Sequence, residues 1–212
     1  MILGIYGAGG SGREIIEVAR MQNKWQEIVF IDGHKKSDYP VKIMTFENFK
    51  KTYPIENTRI VISIGETKDR KQLREKIVES GYKFGNVIHP TAYISPEAKI
   101  GDGLIARANV CVSCGATIEE NVQLFEGSTI GHDTTIGRDS IISTKACIGG
   151  NCIIGRGVYV GMLGSIKEKT TVGDHSTIGM GTAVFKDVDK DVIVLGNPGR
   201  TIRSNTDSKI FS

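Results

Sequence analysis

Ile130–Val160 reads IGHDTTIGRDSIISTKACIGGNCIIGRGVYV, and a branched aliphatic residue returns at every sixth place: Ile130, Ile136, Ile142, Ile148, Ile154 and Val160. Stepping by six carries the column back through Leu124, Ile118, Val112, Ala106 and Ile100 to Ile94, and forward through Ile166, Val172 and Ile178 to Val184. Ala106 alone departs from the branched aliphatic type. Four places after each member runs a second column of mostly small or β-branched residues, among them Val110, Ala116, Ser128, Thr134, Ser140, Ala146 and Cys152. Glycine follows the aliphatic position at Gly101, Gly131, Gly137, Gly149, Gly155, Gly161, Gly173 and Gly179, as expected where a backbone turns sharply or is closely approached.

A period of six matches neither the helical 3.6 nor the strand period of 2, so the repeating unit is a short strand plus a corner. Three units close a triangular coil whose aliphatic residues point at the axis. Coils stacked about 4.8 Å apart then pair strand on strand in parallel and bury a continuous column of methyl groups. The expected fold of this half is a left-handed parallel β-helix of hexapeptide repeats, roughly five coils long, with no large insertion between Ile94 and Val188.

Upstream the pattern changes to alternating strand and helix, which predicts a small parallel α/β unit of the Rossmann-like kind over residues 1–85, with the β-helix and a C-terminal tail over 86–212. Ile2–Tyr6 is the first strand. It runs into Gly7-Ala8-Gly9-Gly10-Ser11-Gly12, and a helix follows over Arg13–Met21 with Ile15, Ile16, Val18 and Ala19 as its sheet-facing stripe. A second strand, Ile28–Ile31, delivers Asp32 twenty residues after Gly12, where a carboxylate meets a sugar hydroxyl or base edge. A third strand, Arg59–Ile64, ends at Gly65 and leads into a helix over Lys68–Ser80 whose Leu73, Ile77 and Val78 face the sheet. The glycine loop offers backbone N–H groups at a helix N-terminus to a phosphate. A ligand-free tight turn is the structural alternative. A redox dinucleotide is disfavoured, because its fold needs about twice this length of α/β chain.

Lys and Arg number 27 against 24 Asp and Glu, a net charge of +3 that leaves no basic footprint for nucleic acid. The start of the chain has no charged leader, and no apolar run approaches the roughly 18 residues of a membrane span, so neither nucleic acid nor membrane is an expected partner and a cytoplasmic location is expected. Cys111, Cys114, Cys147 and Cys152 read as packing residues in a reducing compartment rather than a disulfide framework.

Chemistry needing a base near neutrality points to histidine. His132, two places after Ile130, falls on the outside of the prism with Asp133 beside it to orient the ring; a surface histidine beside a surface acid is the bland alternative. His175 and His34 lie in polar, turn-like stretches, although His34 follows Asp32-Gly33 closely enough to touch a nucleotide, and His89 before Pro90 caps the junction between the halves. No metal is expected: no two histidines fall at short spacing on the prism, and Cys111-x-x-Cys114 lacks a second pair. After Val188 the repeat stops. Gly196-Asn197-Pro198-Gly199-Arg200 forms a turn, with Arg200 and Arg203 either meeting cofactor phosphates or simply solvated, and a polar tail follows from Ser204.

The glycine loop Tyr6–Gly12, Ile88-His89-Pro90-Thr91-Ala92, Gly131-His132-Asp133 and Gly196-Asn197-Pro198 occur in one order. In this the chain resembles, over Ile2–Arg203, the sialic acid O-acetyltransferase and nucleotide-amino-sugar N-acetyltransferase family. The resemblance implies a homotrimer of β-helices, acetyl-CoA as co-substrate in the groove between neighbouring subunits, and a sugar nucleotide on the N-terminal domain. It further implies His132 as base, Asp133 orienting it, and a Gly150 N–H on the thioester oxyanion. Pantetheine would lie by Gly161, Met162, Gly179 and Met180. Gly9, Gly10 and Ser11 would meet phosphates, Asp32 and Gly33 the base or ribose, and Gly65 the sugar. Two positions depart from the pattern: many relatives have histidine in place of Ser11, and some have a second histidine in place of Ile141. The expected function is N-acetylation of a UDP- or dTDP-linked 4-amino sugar for surface glycan or glycoprotein biosynthesis. O-acetylation of sialic acid or a related sugar, and a non-catalytic sugar-nucleotide-binding trimer, are the alternatives.

Overall fold

The computed structural model describes residues 1–33, 40–206 and 210, so His34 lies outside the described residues. The N-terminal unit is a parallel sheet of β1 (Ile2–Tyr6), β2 (Glu27–Ile31), β3 (Ile43–Met44), β4 (Thr58–Ile62) and β5 (Lys83–Phe84) in the order β3-β2-β1-β4-β5. Helix α1 (Gly10–Met21) covers one side and α2 (Phe46–Thr52) with α3 (Thr67–Glu79) the other. The strand period of 2 divides the core accordingly. Leu3, Ile5, Phe30 and Val61 meet Ile15, Ile16 and Ala19 of α1, whereas Val29, Ile31, Ile60 and Ile62 meet Phe46, Phe49 and Ile77. Gly4 sits opposite Phe49, and a Cβ there would come within 2.7 Å of the ring, so the small residue makes room for a fully buried aromatic. That burial contributes about 3 kcal/mol.

Three local expectations change. Val78 is exposed, so the sheet-facing stripe of α3 consists of Ile77, fully buried, and Leu73, partly buried. Helix α1 starts three residues earlier than the expected Arg13, because Gly10, Ser11 and Gly12 already take helical geometry. The short β3 and α2, which carry too few residues to show a period, went unread.

From Val87 the chain winds into a left-handed parallel β-helix of two-residue strands. They stack into three faces. Face I starts with Val87–Ile88 and Ile105–Ala106, face II with Tyr93–Ile94 and Cys111–Val112, and face III with Lys99–Ile100 and Thr117–Ile118. Each strand pairs with the one eighteen residues on, as Thr129 with Cys147 and Ile130 with Ile148. The aliphatic column and the second column both point inward, and Val112, Ile118, Leu124, Ile136, Ile142, Ile148, Ala116 and Val122 are at most 1 % exposed.

The repeated glycine has a cause different from a turn. At Gly131 a Cβ would sit 2.5 Å from backbone atoms of Gly149 and Gly150 in the next coil, so the residue permits close coil-to-coil approach. The left-handed φ falls two residues later, at Asn109, Asn121, Asp133, Asp139, Lys145, Asn151, Leu163, Lys169 and His175 among the non-glycine corners. Asn and Asp suit that geometry because a short polar side chain tolerates it. Of the cysteines only Cys152 is buried, where it packs in the second column; Cys111 is half-buried and Cys114 and Cys147 are exposed, since they occupy outward or corner positions.

The α/β unit lies on face I. Ile105, Gln123 and Ile141, which point outward there, are buried, and Gln123 Nε2 donates to Ile62 O at 2.6 Å. Arg70 of α3 is wholly buried at the junction. Its Nη1 donates to Ile62 O (3.0 Å) and Ile64 O (3.2 Å), and its Nη2 to Asn121 O and to Asn121 Oδ1 (2.8 Å). Asn121 Nδ2 passes the network to Asp139, which also receives Arg74 Nε at 3.0 Å. Burial pushes the Arg70 guanidinium down to about 10, with Asp139 acting against that shift. Beyond the last coil, Val192–Leu195 adds to face I and pairs antiparallel with Arg200–Ser204. The C-terminal segment is therefore ordered sheet through Ser204, with Asn205 buried and donating to His175 O.

Candidate active site

His132 stands at the corner between Thr129–Ile130 of face II and Thr135–Ile136 of face III. The hexapeptide geometry places it there: Ile130 is drawn into the core, and the chain reverses through Asp133 at φ 57°. The backbone is held from both sides, as Asp133 N–H donates to Cys114 O (3.0 Å) and His132 O accepts from Asn151 N–H (2.8 Å). Both side chains reach solvent.

His132 Nδ1 lies 2.9 Å from Asp133 Oδ2. A carboxylate only accepts, so this contact assigns the proton to Nδ1 and leaves the Nε2 lone pair free to take another. Nε2 faces Gly150 in the next coil, where a Cβ would approach to 2.6 Å. In the preceding coil Gly115 performs the matching task, since a Cβ there would collide with Asp133 Oδ1. The pair thus occupies a slot cut by two glycines. No acceptor is found among the described residues for the Gly150 N–H, which stays available beside the imidazole. Such a fixed backbone donor next to a base is suited to stabilising negative charge as it develops.

The second part of the site is a cavity of about 710 Å³ at the carboxyl ends of β1, β2 and β4, where the strand order reverses and α/β sheets bind ligands. Tyr6, Gly7, Asp32, Gly33, Phe46 and Lys76 are among its lining residues. Asp32 Oδ2 accepts from Ala8 N–H at 2.9 Å, which ties the carboxylate to the glycine loop. Asp32 and Gly33 therefore share the cavity. Gly9, Gly10 and Ser11, at the start of α1, are not among its lining residues, and neither is Gly65, which follows the lining residue Ile64. Ser11 Oγ is bonded across the domain junction to Arg107.

Gly161, Met162, Gly179 and Met180 occupy a different corner, between faces I and II, with Met162 and Met180 exposed. The width of face II separates them from His132 in the same chain, so one chain does not bring them together. Ile141 is buried on face I beneath the α/β unit. His89 Nδ1 accepts from Thr91 N–H (3.1 Å), a local cap at the start of the β-helix, and His175 sits at a corner between faces III and I. Among the described residues no three His, Cys, Asp or Glu side chains gather to hold a metal ion, and no helix is long and apolar enough to cross a membrane. Gly115 and Arg107 were not read from the sequence. Gly115 had a signal, as it stands one coil, eighteen residues, before Asp133.

Residues 3–77 match the family model described as the PglD N-terminal domain. Over 98 % of this chain and 99 % of the relative, the sequence is 27 % identical to GDP-perosamine N-acetyltransferase of Escherichia coli O157:H7. The acetyltransferase domain of PglB from Neisseria gonorrhoeae FA1090 superposes with a TM-score of 0.91 at 29 % identity, covering 95 % of this chain and 99 % of that one; it has also been solved in complex with acetyl coenzyme A. The chain is homologous to the nucleotide-sugar N-acetyltransferases of the hexapeptide-repeat acyltransferase family. Another structure similar to this acyltransferase is WeeI from Acinetobacter baumannii AYE, with a TM-score of 0.88, 26 % identity, and coverage of 95 % of this chain and 100 % of that one. The similarity spans both halves of the acyltransferase.

Proposed function

We propose that this acyltransferase moves acetyl from acetyl-CoA to the amine of a nucleotide-linked amino sugar, with His132 as base. The observation that carries the reading is the His132–Asp133 pair, oriented at 2.9 Å with its free nitrogen turned toward the Gly150 backbone. The neutral amine attacks the thioester carbonyl carbon and negative charge moves to the carbonyl oxygen, where the Gly150 N–H receives it. His132 Nε2 removes the ammonium proton. Collapse expels the CoA sulfur, which takes that proton from His132, and the amide remains on the sugar. The Asp32–Gly33 cavity holds the nucleotide, with Gly9, Gly10 and Ser11 toward the phosphates and Gly65 toward the sugar.

The working unit in this reading is a homotrimer in the cytoplasm, where acetyl-CoA is available. Its support is geometric. The α/β unit covers face I, and His132 stands on the corner opposite that face, so a substrate held by one chain meets the His132 of another. Face II bears the outward side chains Tyr93, Cys111, Thr129, Cys147, Ser165 and Ala183, small apart from Tyr93 at its first coil, a surface for a neighbouring copy. That packing brings Gly161, Met162, Gly179 and Met180 of one subunit to the His132 corner of the next, enclosing pantetheine.

The test is thiol release from acetyl-CoA with UDP-, dTDP- and GDP-linked 4-amino sugars offered beside free and CMP-linked sialic acid. Turnover on one amino-sugar nucleotide, with a mass gain of one acetyl on nitrogen, is the expected result and names the nucleotide. Turnover on sialic acid alone overturns the reading in favour of O-acetylation.

A further inference from the structure

Arg107 belongs to the β-helix, at the corner that follows Ile105–Ala106, yet it reaches into the first turns of α1. Its side chain is only 5 % exposed and its guanidinium lies over the Phe125 ring, with Cζ 4.0 Å from the centroid. Nη2 donates to Ser11 Oγ at 2.7 Å, and Nη1 bonds Glu14 Oε2 at 2.5 Å and Glu126 Oε1 at 3.1 Å. Ser11 and Glu14 are three residues apart and share one side of α1, so a single planar group grips the helix at its glycine-loop end. Phe125 beneath and Glu126 beside it leave the guanidinium one orientation.

The bond to Ser11 has a chemical consequence. A guanidinium carries donors and no acceptor, so Ser11 Oγ must be the acceptor in this pair. The serine hydrogen is then excluded from the Arg107 side and is left to serve as a donor elsewhere. Beside it are the backbone N–H groups at the start of α1; of the glycine loop only Gly7 lines the Asp32 cavity, and Ser11 lies four residues further along the same loop. A serine hydroxyl rotates freely when unpaired and needs an outside partner to hold it as a donor.

We propose that Arg107 is a positioning residue for the nucleotide-sugar site: it fixes the glycine-loop end of α1 against the β-helix and commits the Ser11 hydroxyl as a donor to a phosphate oxygen of the substrate. This rests on the assignment of the glycine loop to the phosphates. Arg107 does not touch the substrate. Its own charge is met by Glu14 and Glu126, so it acts through Ser11 and the helix rather than as a free cation.

The experiment is steady-state kinetics of wild type, Arg107→Lys, Ser11→Ala and the double variant on the amino-sugar nucleotide that wild type accepts, together with calorimetric titration of the matching nucleoside diphosphate and of CoA. Lysine keeps the charge but cannot bridge Ser11 and both carboxylates while lying flat on Phe125. Arg107→Lys and Ser11→Ala should each raise KM for the nucleotide sugar about tenfold, with kcat and the KM for acetyl-CoA within twofold of wild type. The double variant should lose no more than the worse single one, because both changes remove one interaction. Unchanged nucleotide-sugar KM in Arg107→Lys, or losses that multiply in the double variant, would overturn the proposal. Unaltered CoA titration and thermal midpoint show the fold is intact; a loss spread equally over both substrates marks a structural role and also overturns it. Wild type that binds no nucleoside diphosphate would instead refute the glycine-loop assignment, an outcome separate from the variants' behaviour.

Discussion

The His132–Asp133 pair depends on two residues that have no side chain. Adding one methyl at Gly150 puts a carbon within 2.6 Å of Nε2, so the imidazole must swing away from the reacting position. Gly150→Ala should therefore lower kcat by about a hundredfold, while the β-helix, whose strands flank the corner, keeps its melting temperature within a few degrees. Gly115→Ala acts from the other side: its Cβ displaces the Asp133 carboxylate, and kcat should fall by about tenfold or more with the KM for acetyl-CoA unchanged. Both are read by thiol release alongside a thermal melt. His132 and Asp133 were legible in the sequence because the repeat phase placed them outside the prism. Ser11 was legible as a member of the glycine loop, but its bond to Arg107 was not, since 96 residues separate the two and no periodicity links them.

At the scale of elements, the β-helix was the most legible part of the chain. A period sustained from Ile94 to Val184 leaves one solution, and each column member from Ala106 to Val184 is buried, with Ile94 and Ile100 at the first coil partly so. What the pattern left open was the role of its glycines: the composition marks a tight place without telling a turn from a close approach, and the structure shows close approach, with the turn two residues further on. The left-handed corner at Lys169 is exposed and carries a residue poorly suited to φ 61°. Lys169→Asn should stabilise the protein, by about 1 kcal/mol at most, as measured by denaturant unfolding. In the α/β unit the short β3 and α2 escaped notice, and Val78 was placed inward by an apolar character that its helical position contradicts. Tyr53 closes α2 against β2 by donating to Glu27 Oε1 at 2.6 Å, and burial together with that carboxylate pushes its phenol up to about 12. A phenol raised in this way contributes stability that is complete below its ordinary value of 10.0 and is lost as pH climbs toward 12. The stability advantage of wild type over Tyr53→Phe, taken from urea unfolding, should shrink across that window.

On the scale of the whole molecule, the two halves are joined by buried polar groups rather than by a hydrophobic seam alone. Arg70 has no access to water; its Nη1 and Nη2 donate to Ile62 O, Ile64 O and Asn121, while its buried Nε has no partner among the described residues. Such a junction holds its geometry as long as every partner is present, and loss of the guanidinium leaves buried carbonyls without donors. Arg70→Ala should cost about 3 kcal/mol or more by denaturant unfolding, and it should loosen the α/β unit on face I. None of this was visible in the sequence, where Arg70 is one cation in a strongly charged helix. The same junction fixes the α/β cavity on face I and His132 on the corner opposite. Co-assembled subunits carrying Asp32→Ala in one chain and His132→Asn in the other should accordingly recover part of the wild-type rate, whereas either variant alone should not.

In the proposed reaction His132 removes the amine proton during acetyl transfer, and the direct test compares His132→Ala with wild type by thiol release and product mass on the accepted amino-sugar nucleotide. If His132 is the base, kcat falls by about 10²- to 10⁴-fold with unchanged CoA binding and unchanged oligomeric size. Turnover by His132→Ala at the wild-type rate would contradict it.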